Sequence, residues 1–396
     1  MSQRRLFRVD EHIKRNYLDT EKLTGALTAI YRNGRLAHYS TLGLMDREQN
    51  KPVLWDSIYR IYSMTKPITS VALMMLYERG FFQLDDSVEE YIPEFKYLEV
   101  YESGQLGSFK TKKPRRPMTI RDLLSHQSGF TYDFMYRTEV DAAYRKIGVG
   151  RKNQNSLKEL IGSLSNLPLE FSPGEKWNYS ISTDVCGYLV EVLSGNALDK
   201  FFQENIFDPL GMVDTGFYVH EDKIHRLSAN YLFRADGPPR LIEDMQEDEN
   251  TAIPGFLSGG GGLMSTAEDY LAFCRMILGK GTFNSEQLLS RKTIELMSTN
   301  HLEGAPQLSD VAYGRWSEST FKGIGFGLGF SVVIDPSIAQ ISGSPGELAW
   351  GGMASTAFWI DPLEDLAVVF MTQLVPSDTY NIRRELRTLV YSAIED

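Results

Sequence analysis

The stretch YSMTKPITSVALMMLYERG, Tyr62 to Gly80, sets a serine and a lysine three positions apart, then a proline, then an almost wholly apolar run. Ile68, Val71, Ala72, Met75 and Leu76 recur at helical spacing, while Leu73 and Met74 fill the opposite side. The stretch therefore predicts a helix that is apolar all round, hence buried. Pro67 lacks an N–H and fits only the first turn, which starts the helix close to Ser63. Gly80 suits its C-terminal cap. Ser63 is thus expected where backbone amides are unpaired and the helix dipole favours negative charge, with Lys66 projecting to the same side.

That pairing has a chemical use. A serine hydroxyl is a weak nucleophile until a base removes its proton. A lysine acts so only when neutral, which requires lowering its pKa by about three units, roughly 4 kcal/mol. Burial at a helix mouth supplies desolvation of that kind. Ser-x-x-Lys is also a cheap pattern: Ser319 and Lys322 repeat it in a glycine-rich segment with no apolar helix behind it, and that copy is read as incidental.

Outward from this helix, ALTAIYRNGRLAHYSTLG reads as two strands joined by an Asn33-Gly34 turn. GIGFGLGFSVVID, MASTAFWID and LAVVFMTQ read as antiparallel strands near the other end, and YNIRRELRTLVYSAI as a closing helix. Helical patterns and long loops dominate between. The chain is therefore expected to be α+β: an antiparallel sheet flanked by helices, assembled from residues 1–84 and 255–396, with a mainly helical domain, 85–254, inserted. The site is expected in the cleft between them.

Bulk properties exclude several classes. The 396 residues are 42% hydrophobic and 23% charged, as in an ordinary folded protein. With 41 basic against 52 acidic residues, net −11, no basic face for nucleic acid is expected. No apolar run reaches the roughly twenty residues needed to cross a bilayer. MSQRRLFRVDEHIKRNY has charges throughout and no apolar core, so it does not read as a secretory signal, and a cytoplasmic location is expected. Leu6, Val9 and Ile13 fit one side of an amphipathic helix instead. Cys186 and Cys274 lie in apolar helical patterns and read as buried free thiols. The scattered histidines include no metal-ligand pair, so neither metal nor cofactor is expected. Nothing in the sequence sets the oligomeric state.

Acyl transfer by serine needs a group to handle the leaving-group proton and paired N–H donors for the oxyanion. In PGEKWNYSISTDVCGYLVEVLSG, Tyr179 precedes a helix carrying Val185, Tyr188, Leu189, Val192 and Leu193, with Ser182 or Thr183 as N-cap. Its phenol can reach a cleft, although a packed core tyrosine has the same signature. In GELAWGGMASTAFWI, Gly351-Gly352 before a strand would let the Met353 N–H approach that of Ser63, or would simply form a bulge.

Taken together, these features resemble the serine β-lactamase and penicillin-binding-protein superfamily, most of all the class C-related carboxylesterases called family VIII. SMTK matches Ser-x-x-Lys, YSI stands at the Tyr-x-Asn position, and WGG stands where β-lactamases carry Lys-Thr-Gly. LLSHQSG, FSPGEKWNYS, FDPLGMVDTGF and SGGGGLMSTAEDY extend the likeness over nearly the whole chain. The resemblance implies Ser63 as the acylated nucleophile, Lys66 as base or hydrogen-bond partner and Tyr179 as proton relay, with an oxyanion hole from the Ser63 and Met353 amides. It leaves open whether Lys66 or Tyr179 takes the first proton.

Departures from the lactamase pattern steer the substrate. Trp350 replaces a cation that would hold a carboxylate, and Ile181 replaces an asparagine that would bond an amide. Each lost hydrogen-bond partner disfavours such amides by about 1–3 kcal/mol. A small or medium neutral ester is thus the expected substrate, with weak β-lactam turnover or acyl transfer besides. Trp350, Gly351, Gly352, Ile181 and Tyr132 are expected to contact it. The alternatives are a β-lactamase or D-amino-acid peptidase on the same machinery, and a catalytically idle binding or scaffold homologue.

Other signals read as architecture. SGGGG (Ser258–Gly262) lacks the lysine of a phosphate loop, and Ser265 with Glu268 is read as a capping box. Gly323, Gly325, Gly327 and Gly329 are expected on one bare strand face. His126 is read as a structural hydrogen-bonding residue. YDFMY (132–136) and RADGPPRLIEDMQ (234–246) are placed at the cleft border.

Overall fold

A computed structural model describes residues 1–150, 155–243, 251–304, 307–313 and 322–396. Ser319, the first residue of the second Ser-x-x-Lys, lies outside them. The main sheet starts with β1 (Gly25–Arg32) and β2 (Arg35–Asp46), turned at Asn33 and Gly34. Both turn residues have positive φ, 50° and 76°, the geometry that lets a two-residue turn follow the strand twist. After β3 (Lys51–Pro52), the late chain adds β4 (Ile324–Phe326), β5 (Ser331–Val333), β6 (Leu348–Gly351), β7 (Ala357–Asp361) and β8 (Leu366–Met371). The order is β4-β5-β6-β7-β8-β1-β2-β3, antiparallel at every step. The two chain ends meet at its centre, where β1 pairs with β8 from Leu27↔Met371 to Arg32↔Leu366.

Every residue of β8 is buried, because helices cover both faces. Five helices matter for the site: α1 (Gln3–Ile13), α2 (Thr65–Glu78), α3 (Ser182–Ser194), α4 (Ala267–Leu278) and α5 (Ile382–Tyr391). Leu366, Val368 and Phe370 pack with Leu6, Val9 and Ile13 of α1 and Leu386 and Val390 of α5. The alternate residues Ala367, Val369 and Met371 join the larger core with α2, α3 and α4. The two-residue period of the strand thus divides one sequence between two layers.

In α2, Thr65 through Leu76 are all buried. Ile68, Val71, Leu73, Met74 and Leu76 are each at most 1% exposed. At about 1.5–3 kcal/mol for each such side chain, their burial outweighs the several kcal/mol needed to desolvate the Lys66 amine. The helix ends as expected: Gly80 has φ 77°, and the Phe81 N–H returns to the Leu76 carbonyl.

Several local expectations need correction. The helix after Tyr179 has Ile181 at its N-cap position, with no side-chain cap. Ser182 Oγ instead joins Ser128 Oγ at 2.6 Å and Ser180 Oγ at 2.8 Å, so its hydroxyl is committed to a buried serine cluster. Val192 faces out, and Cys186 and Val190 take the core side. The cap of α4 is Thr266, which accepts from the Asp269 N–H, while Ser265 pairs with Thr215. The four late glycines do not share a strand face either: only Gly325 lies in β4, and Gly323 and Gly329 adopt positive φ in the flanking turns. A β-carbon on Gly329 would fall 2.3 Å from Ser70 Oγ, so this glycine seats the sheet edge on α2. Both cysteines are buried and free. Among the described residues, no helix is long and apolar enough to cross a membrane.

Candidate active site

Ser63 occupies a single 3₁₀ turn, Tyr62–Met64, that runs into α2. Tyr62 just before it has φ 44°, a left-handed conformation that is costly for a tyrosine and must be held by its surroundings. Three contacts hold it. The Tyr62 hydroxyl accepts from Asn230 Nδ2 at 2.7 Å, Tyr270 Oη donates to the Met64 carbonyl at 2.8 Å, and the Ile61 N–H donates to the Leu263 carbonyl at 3.1 Å. The hydroxyl of Ser63 is aimed by this turn rather than by a free loop.

Two groups converge on Ser63 Oγ. Tyr179 Oη lies 2.5 Å away and Lys66 Nζ 3.3 Å away. Lys66 Nζ also donates to the Gly260 carbonyl at 2.6 Å and lies 4.6 Å from the Tyr179 ring centre and 5.3 Å from that of Tyr132. Tyr179 is wedged among His126, Tyr132 and Trp350, whose ring centres lie 5.2, 5.2 and 5.6 Å from its own. Burial, with Lys66 nearby, pushes His126 well below the ordinary histidine range, so the imidazole is neutral. It packs against Tyr179 and reaches Ser180 Oγ at 3.3 Å through Nδ1.

The open side of Ser63 faces a cavity of about 560 Å³, within the range of small-molecule sites. Its apolar wall includes Phe134, Ile181, Phe217, Phe256 and Met264; Tyr132 and Met353 also border it. Arg60, Asp184 and Ser258 add polar groups to the lining. Asp184 Oδ1 accepts from Ser258 Oγ at 2.6 Å and from the Gly260 N–H at 3.0 Å, tying down the segment whose carbonyl receives Lys66. Burial raises the Asp184 carboxyl above its usual range, while Lys66 pulls it back down. Among the described residues, no group of three His, Cys, Asp or Glu is placed to hold a metal ion.

Of the residues expected to contact substrate, Ile181 and Tyr132 are on the cavity wall, and Trp350, Gly351 and Gly352 are not. Trp350 is turned by the β6 register into the core, packing on Tyr179 and Phe326, so it acts on the cavity through Tyr179. Gly352 is set by close approach: a β-carbon there would meet the Ile61 carbonyl oxygen at 2.5 Å. The turn carrying Met353 therefore lies directly against the segment carrying Ser63. Neither the Ser63 nor the Met353 N–H donates to a backbone acceptor among the described residues. Tyr132 and Phe134 of the 132–136 stretch line the cavity; residues 234–243 do not, and 244–246 lie outside the described residues. Sequence reasoning passed over Asp184, whose signal was an acid inside an apolar helix, and Arg60, Phe217 and Phe256, which carried none.

This fold and the serine at the mouth of its buried helix define a class, the β-lactamase and penicillin-binding-protein-like hydrolases. The Beta-lactamase family model matches residues 11–392, and the chain belongs to that family. It is similar to the Mycobacterium tuberculosis protein Rv1367c, 33% identical over 91% of this chain and 88% of the relative. It is likewise similar to Esterase EstB of Burkholderia gladioli, 28% identical over 90% and 87% of the two chains. Among solved structures, EstCE1, described as a hydrolase with promiscuous acyltransferase activity, superposes with a TM-score of 0.82 at 26% identity, over 98% of this chain and 99% of that one. The relatives support a hydrolase or acyltransferase of the β-lactamase fold.

Proposed function

We propose that the protein is a serine carboxylesterase that cleaves small to medium neutral esters through an acyl-enzyme on Ser63. The observation that carries this reading is the convergence of Tyr179 Oη and Lys66 Nζ on Ser63 Oγ, facing a largely apolar cavity. Tyr179, the nearer group, takes the serine proton as Oγ attacks the ester carbonyl. For this Tyr179 must act as the phenolate, and the Lys66 ammonium, close to the Tyr179 ring and bonded to Gly260, stabilises that negative charge until the serine proton neutralises it. The amides of Ser63 and Met353 receive the oxyanion. Tyr179 then returns the proton to the departing alcohol, and water or a second alcohol releases the acyl group by the reverse steps. The esterase and acyltransferase descriptions of EstB and EstCE1 support this chemistry.

Ester preference over amide follows from the wall. Ile181 presents an alkyl chain where an amide-binding asparagine would stand, and the Trp350 ring packs behind Tyr179. The test is a panel of p-nitrophenyl esters from acetate to octanoate alongside cephalosporins. Highest kcat/KM on a short or medium ester, abolished in Ser63→Ala, is the expected result. Cephalosporin turnover equal to the best ester would reverse the preference. A folded protein whose Ser63 stays unlabelled by a fluorophosphonate would remove the acyl-enzyme altogether.

A further inference from the structure

Arg383, in the first turn of α5, packs against the β6–β7 turn and is 9% exposed. Its Nη2 donates to the Gly352 carbonyl at 2.7 Å and to the Thr356 carbonyl at 2.6 Å. Between these two carbonyls the turn closes on itself, with the Gly352 N–H donating to Thr356 at 2.9 Å and the Ser355 N–H to Gly352 at 3.1 Å. The Gly352 carbonyl and the Met353 N–H belong to one planar trans peptide, so they point in opposite directions. Holding the oxygen from behind aims the N–H forward. A cation on a carbonyl also polarises the peptide and makes its N–H a stronger donor.

We propose that Arg383 is a positioning residue that orients and polarises the Met353 amide toward the oxyanion. The inference rests on the reading of Met353 as an oxyanion donor. It gives a function to the docking of α5, which otherwise serves the core on the opposite face of the sheet. A guanidinium suits the place because its planar, rigid group holds both carbonyls in fixed directions, where a flexible ammonium would not.

The test compares wild type with Arg383→Met, Arg383→Lys and a control, Arg384→Ala. Arg384 sits on the same helix and also bonds a backbone carbonyl, that of Gln340 at 2.6 Å, away from the cavity. kcat and KM for the best ester, the inhibition constant of phenylboronic acid and the melting temperature are measured for each. Complete loss of an oxyanion donor lowers kcat about 10²–10³-fold, so a misaimed one is expected to lower it about 10- to 100-fold. Arg383→Met should show that loss with KM within about threefold and boronate affinity weakened in step with kcat/KM. Arg383→Lys, which keeps a charge, should fall between. Arg384→Ala should lose stability alone. Unchanged kcat and boronate affinity in Arg383→Lys and in folded Arg383→Met, with an active wild type, overturn this inference and leave the esterase reading standing. If Arg383→Met does not fold, Arg383→Lys alone decides. Absence of both ester turnover and boronate binding in wild type overturns both.

Discussion

Ser63, Tyr179 and Lys66 make the strongest claims at the scale of single residues. Ser63→Ala should lower ester turnover by at least about 10³-fold, since the nucleophile and its proton acceptor act as one unit. Tyr179→Phe keeps the ring contacts with His126 and Tyr132 but deletes the oxygen 2.5 Å from Ser63. It should lower kcat about 10²–10⁴-fold with little change in melting temperature, measured by ester assay and calorimetry. His126 makes a stability prediction. Its folded pKa is depressed below about 6.5, the unfolded value, so between the two the unfolded chain binds the extra proton. The stability from neutral His126 is therefore present above about pH 6.5 and is lost as pH falls toward the folded pKa. Folding free energies from urea titrations at pH 7.5 and 5 should fall less in His126→Gln than in wild type; parallel profiles would contradict the assignment. At this scale the sequence was legible where chemistry and local pattern coincide, as at Ser63 and Lys66. It was silent on Arg60, Phe217 and Phe256, which reach the cavity only because distant segments meet there.

At the scale of elements, the turn between β6 and β7 decides whether Met353 meets Ser63. Gly352→Ala would place a methyl 2.5 Å from the Ile61 carbonyl and 2.2 Å from Thr356 Oγ1. The turn must withdraw, and kcat is expected to fall about 10²-fold while the fluorophosphonate still labels Ser63 slowly. Wild-type rates would show that the turn takes no part. The two glycines were visible as a close approach in the sequence, but their partner was not, because Ile61 lies nearly three hundred positions earlier. The misplaced caps have a similar origin. Ser182 and Ser265 carry the right side chains for capping, yet tertiary contacts with Ser128 and Thr215 claim their hydroxyls.

Across the whole molecule, the last helix locks the sheet to its cover. Tyr391 Oη lies 2.7 Å from both Glu347 Oε2 and Asp361 Oδ2, while Arg387 Nε holds Glu347 Oε1 at 2.9 Å. Both carboxylates are fully buried, and Tyr391 is pushed far above the usual phenol range by burial and by the two acids. Tyr391→Phe leaves these acceptors facing an apolar ring and should destabilise the fold by about 2–3 kcal/mol in urea titration, with ester turnover retained in the folded fraction. A loss below about 0.5 kcal/mol would mean water replaces the phenol.

Local order sufficed for the parts whose signal is contained in a few turns of chain. The buried α2, the Asn33-Gly34 hairpin, β7, β8 and the serine–lysine pairing depend on side-chain period, turn stereochemistry and the absence of a proline N–H. These properties are written residue by residue. Only the folded chain decided that Trp350 faces the core and not the cavity, that Asp184 ties down the Gly260 segment, and that Arg383 sits behind the Met353 amide. Those placements follow from strand register and from how two layers of helices close on one sheet, where neighbours in space are strangers in sequence.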